Sequence, residues 1–374
     1  MREIHADDMH AVALGAAVLG TGGGGDPYIG KLMAMQAIRA HGPVRLIDVD
    51  ELPDDALIVP AAMMGAPTVM VEKIPSGTEI VDAFRALETY LGRTIDAVLC
   101  GEAGGMNSTI PFVVAAETGL PLVDGDGMGR AFPELQMVTF TLHGVRATPM
   151  TMADDKGNSI LLETIDNAWT ERLARSVTID MGGSALISFY AMDGATAKRA
   201  IIRGTIGLAA DIGAAIASAR REKRSAIEAT RELLNGIELF RAKIVDVERR
   251  TEGGFARGLA RLEGIEDDAG RRFEIEFQNE FLIARELAAH GPTRALCTTP
   301  DLITLLDADG GEPITTESLR FGFRVVALGI PCDPQWRTDE GLGLVGPRYF
   351  GYDLDYVPVE ARTSDATASP GGKT

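Results

Sequence analysis

Two runs in the first third of the chain gather the residue types that acid–base chemistry needs: Glu102-Ala103-Gly104-Gly105-Met106-Asn107-Ser108, and Asp124-Gly125-Asp126-Gly127-Met128-Gly129-Arg130-Ala131-Phe132-Pro133-Glu134. Neighbouring carboxylates raise one another's pKa, which is how a protein obtains a general acid or base that works near neutral pH. Each run follows a short apolar segment that reads as a strand, Ala97–Cys100 and Leu120–Val123. Polar groups gathered at strand ends are where α/β proteins bind small molecules. The flanking glycines let ligand atoms approach the backbone. The plainer reading is a pair of tight loops in which Asp and Gly serve turn geometry alone, but two such runs together favour a site.

Cys100, just before Gly101-Glu102, is either a nucleophile or a small buried core residue. Activating its thiol takes a base or a cation, which Glu102 or Arg130 supplies only in part. The run Gly20-Thr21-Gly22-Gly23-Gly24-Gly25-Asp26 matches G-x-G-x-x-G, with Asp48 at about the spacing of a ribose contact. A nucleotide fingerprint, however, starts from a β-branched strand, whereas Ala11 to Leu19 is rich in Ala and Leu. Two readings remain. Either the N–H groups of Gly23, Gly24 and Gly25, with Asp26 capping a following helix, form a concavity for an anionic or carbonyl group, or the run is a bare interhelical turn.

His5, His10, His41, His143 and His290 are not spaced as metal pairs, and Cys100, Cys297 and Cys332 form no CxxC. A zinc site of His and Cys is therefore not expected. A divalent ion held by Asp124 and Asp126 stays open, and no other cofactor is called for. Trp336 with Arg337, and the aromatic and basic run from Gly346 to Asp353, serve either a ligand or the packing of a domain edge.

These residues need a frame. Asp7-Asp8 can cap a helix from Met9 to Leu19. Pro27 suits the first turn of a second helix reaching His41, stopped by Gly42-Pro43. Strands at 44–49, 57–61, 97–100 and 120–123 alternate with helices at 77–91 and 109–118, which predicts an α/β, three-layer, mostly parallel domain over residues 1–168. From Leu135 to Tyr190, short alternating segments such as Val138–Leu142 and Ser159–Thr164 predict antiparallel strands. Ala195 to Leu234 reads as one long helical segment in which Gly204 and Gly207 allow a break or a close approach. Beyond Gly236, strands at 242–248, 255–263, 272–277, 294–297, 302–306 and 323–328 predict a β-rich, barrel-like part, giving a second domain over 169–362 and a disordered tail over 363–374.

At 374 residues and 45% hydrophobic content the chain can bury two cores. A net charge of −18 excludes a nucleic-acid partner, since phosphate binding takes clustered Lys and Arg. The acidic start Met1-Arg2-Glu3-Ile4-His5-Ala6-Asp7-Asp8 is no secretory signal, and no apolar run is long enough to cross a bilayer. An odd, scattered cysteine set points to a reducing compartment. The expectation is a cytoplasmic protein with a small-molecule substrate, no membrane partner and a homo-oligomeric state.

Taken in order, Gly20–Tyr28, Gly65–Val69 with Glu72-Lys73, Glu102–Ser108, Asp124–Glu134, Gln278-Asn279-Glu280, Pro300–Ile303 and Gly346–Asp353 resemble the S-methyl thiohydantoin desulfurase family, which is found beside or fused to hydantoinase and oxoprolinase subunits. The resemblance spans nearly the whole chain. It implies an α/β N-terminal and a β-rich C-terminal domain. It also implies hydrolysis of an S-methylated thiohydantoin bearing a propionate, releasing methanethiol and leaving a hydantoin, in breakdown of S-methylated ergothioneine. Such chemistry attacks an isothiourea-like ring carbon and expels a thiolate, and so needs a nucleophile, a base and donors for the developing charge. Either water activated by Glu102 or Asp124 attacks, or Cys100 attacks directly. Asn107 and the Gly22–Gly25 backbone are candidates to bind the ring, with Asp126 and Glu134 as further substrate-binding candidates, and Arg130 to hold the propionate through a bidentate pair. The competing functions are hydrolysis of another hydantoin-like ring, a nucleotide-binding subunit of a hydantoinase-type complex, and a non-catalytic partner protein.

Overall fold

Strands buried on both faces carry continuous apolar sequence rather than strict alternation, and two segments have that composition: LIVPAAMMG at Leu57–Gly65 and AVLC at Ala97–Cys100. The computed structural model describes residues 1–65, 69, 77–288 and 292–364. Numbering strands in chain order, these two are β3 and β4. With β2 (Val44–Ile47) and β5 (Leu122–Val123) they form the parallel centre of a nine-stranded sheet. Antiparallel strands extend it on both sides: β1 (Arg2–Ile4) beside β2, and β9 (Ser184–Ser188), β7 (Met150–Ala153) and β8 (Ser159–Leu162) beyond β3, with β10 (Met192–Asp193) on the start of β3. The last strands of this sheet thus come from beyond residue 168.

Successive side chains of a strand point to opposite faces. Val59 and Val98 accordingly join Ile38, Phe84 and Phe112 in one core, supplied by the helices Tyr28–His41, Glu79–Leu91 and Ile110–Thr118. Ile58 and Leu99 join Phe132, Met137, Phe140 and Tyr190 in the other. The helix Met9–Leu19 runs against Thr205–Arg221 so closely that a Cβ on Gly15 would lie 1.9 Å from the Ala209 carbonyl oxygen. The Ala195–Leu234 region is three helices rather than one: Gly194–Ala200, Thr205–Arg221 and Ala226–Leu233. The first break falls at Gly204, whose φ of +75° suits glycine. Between them β11 (Ile202–Arg203) pairs with β6 (Gly125–Asp126).

The antiparallel expectation for 135–190 holds for β7, β8 and β9 but fails twice. Thr139–Leu142 is a single helical turn, and Asn167–Asp180 is a helix. The helix escapes a hydropathy reading because its buried stripe is Thr170, Glu171, Ala174 and Thr178, while Trp169, Leu173 and Ile179 face outward.

The second half forms a seven-stranded antiparallel sheet curled into a half-barrel, in the order β16-β15-β14-β13-β12-β18-β17. Its members are β12 (Ile237–Glu252), β13 (Phe255–Gly264), β14 (Arg272–Gln278), β15 (Glu280–Leu287), β16 (Arg294–Thr298), β17 (Leu302–Asp307) and β18 (Arg324–Ile330). Phe240 and Phe273 stack at 4.1 Å in its core. β15 is absent from the sequence expectation because Ala284-Arg285-Glu286-Leu287 are good helix formers; pairing with β14 and β16 overrides that preference.

The two halves are stitched at the glycine run. Phe281 N–H donates to the Thr21 carbonyl at 2.7 Å, and Thr316 N–H to the Gly22 carbonyl at 2.7 Å. This seats the start of β15 against the first domain. Of the tail expected to be disordered over 363–374, residues 363 and 364 close the helix Val359–Ser364; the rest lies outside the described residues, as do 66–68, Glu72-Lys73 and His290.

Candidate active site

Where β3 and β4 end, the chain leaves a cleft of about 670 Å³, counting space open to solvent. Met63, Met64, Phe132 and Phe189 supply apolar wall, and Glu102, Glu134, Glu171, Arg175 and Glu280 supply charge. Apolar walls with a few convergent charged groups are the make-up of a small-molecule site.

Glu102 stands two residues past β4 and is 6% exposed. Its Oε1 accepts a hydrogen bond from Asn107 Nδ2 at 3.1 Å. Burial raises its pKa to about 8, with the Asn107 hydrogen bond opposing the rise. Asn107 lies in the 3₁₀ turn Gly105–Ser108. Its Oδ1 accepts from Met63 N–H at 2.7 Å, and its Nδ2 also donates to the Met63 carbonyl at 3.2 Å. The Asn107 amide is therefore fully engaged: it clamps the end of β3 and orients Glu102, and has no donor left for a ring.

Facing this half is Glu280, the first residue of β15, 2% exposed. Asn279 before it adopts a φ of +57°, which turns the chain from β14 into β15 and brings the carboxylate to the glycine run. Glu280 Oε1 accepts from Gly24 N–H at 3.2 Å, while Oε2 is buried without a partner among the described residues. A Cβ on Gly23 would lie 2.1 Å from Oε1, so only glycine lets the carboxylate rest there. Burial, then the nearby Glu102 charge, holds the Glu280 carboxyl well above the ordinary carboxylate range. The concavity expected at Gly23, Gly24 and Gly25 is thus met by the protein's own carboxylate. Asp26 accepts from Tyr28 N–H at 2.9 Å just before the next helix, whose N-cap is Pro27, and takes no part in the cleft.

The second sequence run divides. Glu134 lines the cleft and accepts from Tyr349 Oη at 2.7 Å and from Gln136. Asp124 does not line it: its Oδ1 takes the N–H groups of Ile206 and Gly207, at 3.1 and 2.9 Å, at the start of the Thr205 helix. Asp126 accepts from the N–H groups of Ala103, Met128 and Gly129 at 2.7 to 3.0 Å, bracing the Glu102 loop; burial raises its pKa to about 7. Arg130 is fully buried and all five of its N–H donors are spent, on Ala131, Pro300, Asp301 and Phe281 carbonyls and Thr21 Oγ1. It binds the halves together and is not free to hold a propionate. Cys100 also departs from its expected role. Its thiol is buried, donates to the Glu102 carbonyl at 2.7 Å and contacts the Asn107 carbonyl at 3.2 Å, and burial pushes its pKa well above the ordinary thiol value. A protonated thiol turned to carbonyls is not a nucleophile.

Glu280 and Arg175 are the residues sequence reasoning missed. The polar triplet Gln278-Asn279-Glu280 interrupting an apolar alternation is a visible signal for the first; nothing in the sequence marks the second. Among the described residues no group of three or more His, Cys, Asp or Glu could hold a metal ion, and no helix is long and apolar enough to cross a membrane.

Two family models together match nearly the whole chain: one described as S-Me-THD-like, N-terminal domain, over residues 7–164, and one as S-Me-THD-like, C-terminal domain, over 165–359. The fold is similar to a crystal structure of a protein from Chromobacterium violaceum, with a TM-score of 0.80 and 26% identity, covering 96% of this chain and all of that one. No curated protein matches the chain significantly.

Proposed function

The chain belongs to the S-Me-THD-like family, and from that premise we propose that its cleft hydrolyses the C–S bond of an S-methyl thiohydantoin carrying a propionate, yielding a hydantoin and methanethiol, as a step in S-methyl ergothioneine breakdown in the cytoplasm. The observation that carries the reading is the Glu102–Glu280 pair. Two buried carboxylates, one from each domain, line one cleft with both pKa values raised, and one of them has an oxygen without a partner among the described residues. Groups whose environments shift them toward neutrality are acid–base candidates.

Their roles are assigned from their hydrogen bonds. Glu102, oriented by Asn107 Nδ2, takes a proton from water; Glu280, whose Oε2 has no partner among the described residues, carries the proton. Water attacks the ring carbon that bears sulfur, a C–O bond forms, and the C–S bond breaks. The electron pair leaves on sulfur, and the Glu280 proton completes methanethiol. The water proton taken by Glu102 returns to Glu280, and the remaining hydroxyl proton settles on ring nitrogen as the carbonyl forms.

A thiol reagent following methanethiol release from the S-methyl thiohydantoin propionate tests this. Glu102→Gln and Glu280→Gln should each lower kcat by about 10²- to 10⁴-fold while the protein stays folded. Because the base must be ionised, kcat/KM should climb as pH rises through about 8. No methanethiol from the wild type, or full activity in both variants, overturns the reading.

A further inference from the structure

We infer that Arg175 is the residue that selects substrate, by pairing with a carboxylate carried on an arm of the ring. The inference rests on the reading above that the cleft holds the substrate. Arg175 is the one cation lining the cleft among the described residues, and its side chain is 14% exposed.

It is fixed from two sides. From its own helix, Asn167–Asp180, its Nε donates to Glu171 one turn earlier; Nη2 donates to the Pro133 carbonyl at 3.2 Å, on the cleft wall. From the half-barrel sheet the tip of the β12–β13 hairpin reaches over, placing the Phe255 ring 4.2 Å from the guanidinium carbon, with Gly254 pressed on its stem. Nη1 has no partner among the described residues. A guanidinium so held loses little further freedom on binding, and a planar fork suits a carboxylate.

The other charges of the cleft leave room for an anion at this end. Burial holds Glu102 and Glu280 above the ordinary carboxylate range, Glu171 is committed to Arg175 and to Leu135 N–H at 2.9 Å, and Glu134 is held by Tyr349 and Gln136. Arg130, the other arginine near this region, has no donor left to compete.

The test is equilibrium binding of hydantoin-5-propionate and its neutral propionamide to the full-length protein, a measurement that needs no turnover. The wild type should prefer the acid by about 10- to 100-fold, the range of a hydrogen bond to a charged group. In Arg175→Met that preference should fall to near one. In Glu171→Gln, where the guanidinium no longer shares its charge, the preference should be kept or enlarged. A merely structural arginine would weaken acid and amide alike and leave their ratio unchanged, and that result overturns the inference, as does wild-type protein that binds both equally or neither. If the ratio behaves as expected but no methanethiol is released, the desulfurase reading falls and the anion subsite stands.

Discussion

The Asp124–Arg130 run and the Glu102–Glu280 cleft are both buried, charged and rich in glycine, yet they differ in how much of their hydrogen-bonding capacity is spent. Asp124 and Asp126 receive backbone N–H groups, and Arg130 gives away all five donors. Glu102 is held by the Asn107 amide and the Phe132 backbone, and Glu280 keeps an oxygen with no partner among the described residues. Buried polar groups are normally satisfied, so the unsatisfied ones mark where a ligand or a proton is expected. Residue type alone did not separate brace from site; donor bookkeeping does.

The harshest way to break this comparison is Arg130→Met. Removing the guanidinium strands four carbonyls and the Thr21 hydroxyl between the halves. A loss of about 3–5 kcal/mol is expected, as for a buried charged network losing one partner, measured by urea unfolding. Binding of the propionate ligand, scored on the folded fraction, should persist. Folding close to wild type with ligand binding abolished would instead return Arg130 to the clamp role.

The second prediction turns on pH. A carboxyl whose folded pKa lies above its unfolded value binds protons more tightly when folded, so its favourable contribution is complete below about pH 4.5 and is lost as pH rises through about 8. The wild type should therefore lose stability, by an amount on the order of a few kcal/mol, between about pH 4.5 and 8. Glu102→Gln removes that titration and should flatten the fall in Tm while abolishing turnover. Stability traded for acid–base capacity is the expected cost of an unsatisfied site. Asp126→Asn, in the saturated run, should lower Tm at every pH because the new amide cannot accept all the N–H groups the carboxylate accepts. If Asp126→Asn raised Tm, the saturated run would not be a brace.

The sequence made the parallel centre of the first sheet legible, because Leu57–Gly65 and Ala97–Cys100 are apolar throughout and the helices around them carry ordinary stop signals. It also located Glu102 and Glu134. It misjudged 135–190, where Asn167–Asp180 buries Thr, Glu and Ala and exposes Trp and Leu, and it passed over β15, whose local preference is helical. These two elements bring Arg175 and Glu280 to the cleft. Their contribution depends on contacts between residues far apart in the chain, such as Gly24 with Glu280 and Pro133 with Arg175, which no local pattern records. Arg130 and Asp126 were misassigned for the converse reason: their types suit ligand binding, and only the fold shows that backbone groups already occupy them.

The mildest test concerns Cys100, which sits between the two regions. Its thiol bridges toward the Glu102 and Asn107 carbonyls, the same two residues whose side chains hydrogen-bond each other in the cleft. Were it a nucleophile, Cys100→Ala would remove turnover altogether. Here the thiol is a buried donor with its pKa pushed up, so Cys100→Ala should keep kcat within the wild-type order of magnitude. It should cost about 1–2 kcal/mol, the usual range for truncating a buried side chain that also loses a hydrogen bond. Cys100→Ser, which keeps a donor on a shorter bond, should recover part of that loss if the bridge to the two carbonyls is what Cys100 contributes. Equal loss in both variants would assign the effect to packing of the sulfur, leaving Asn107 and Asp126 as the groups that hold Glu102 in place.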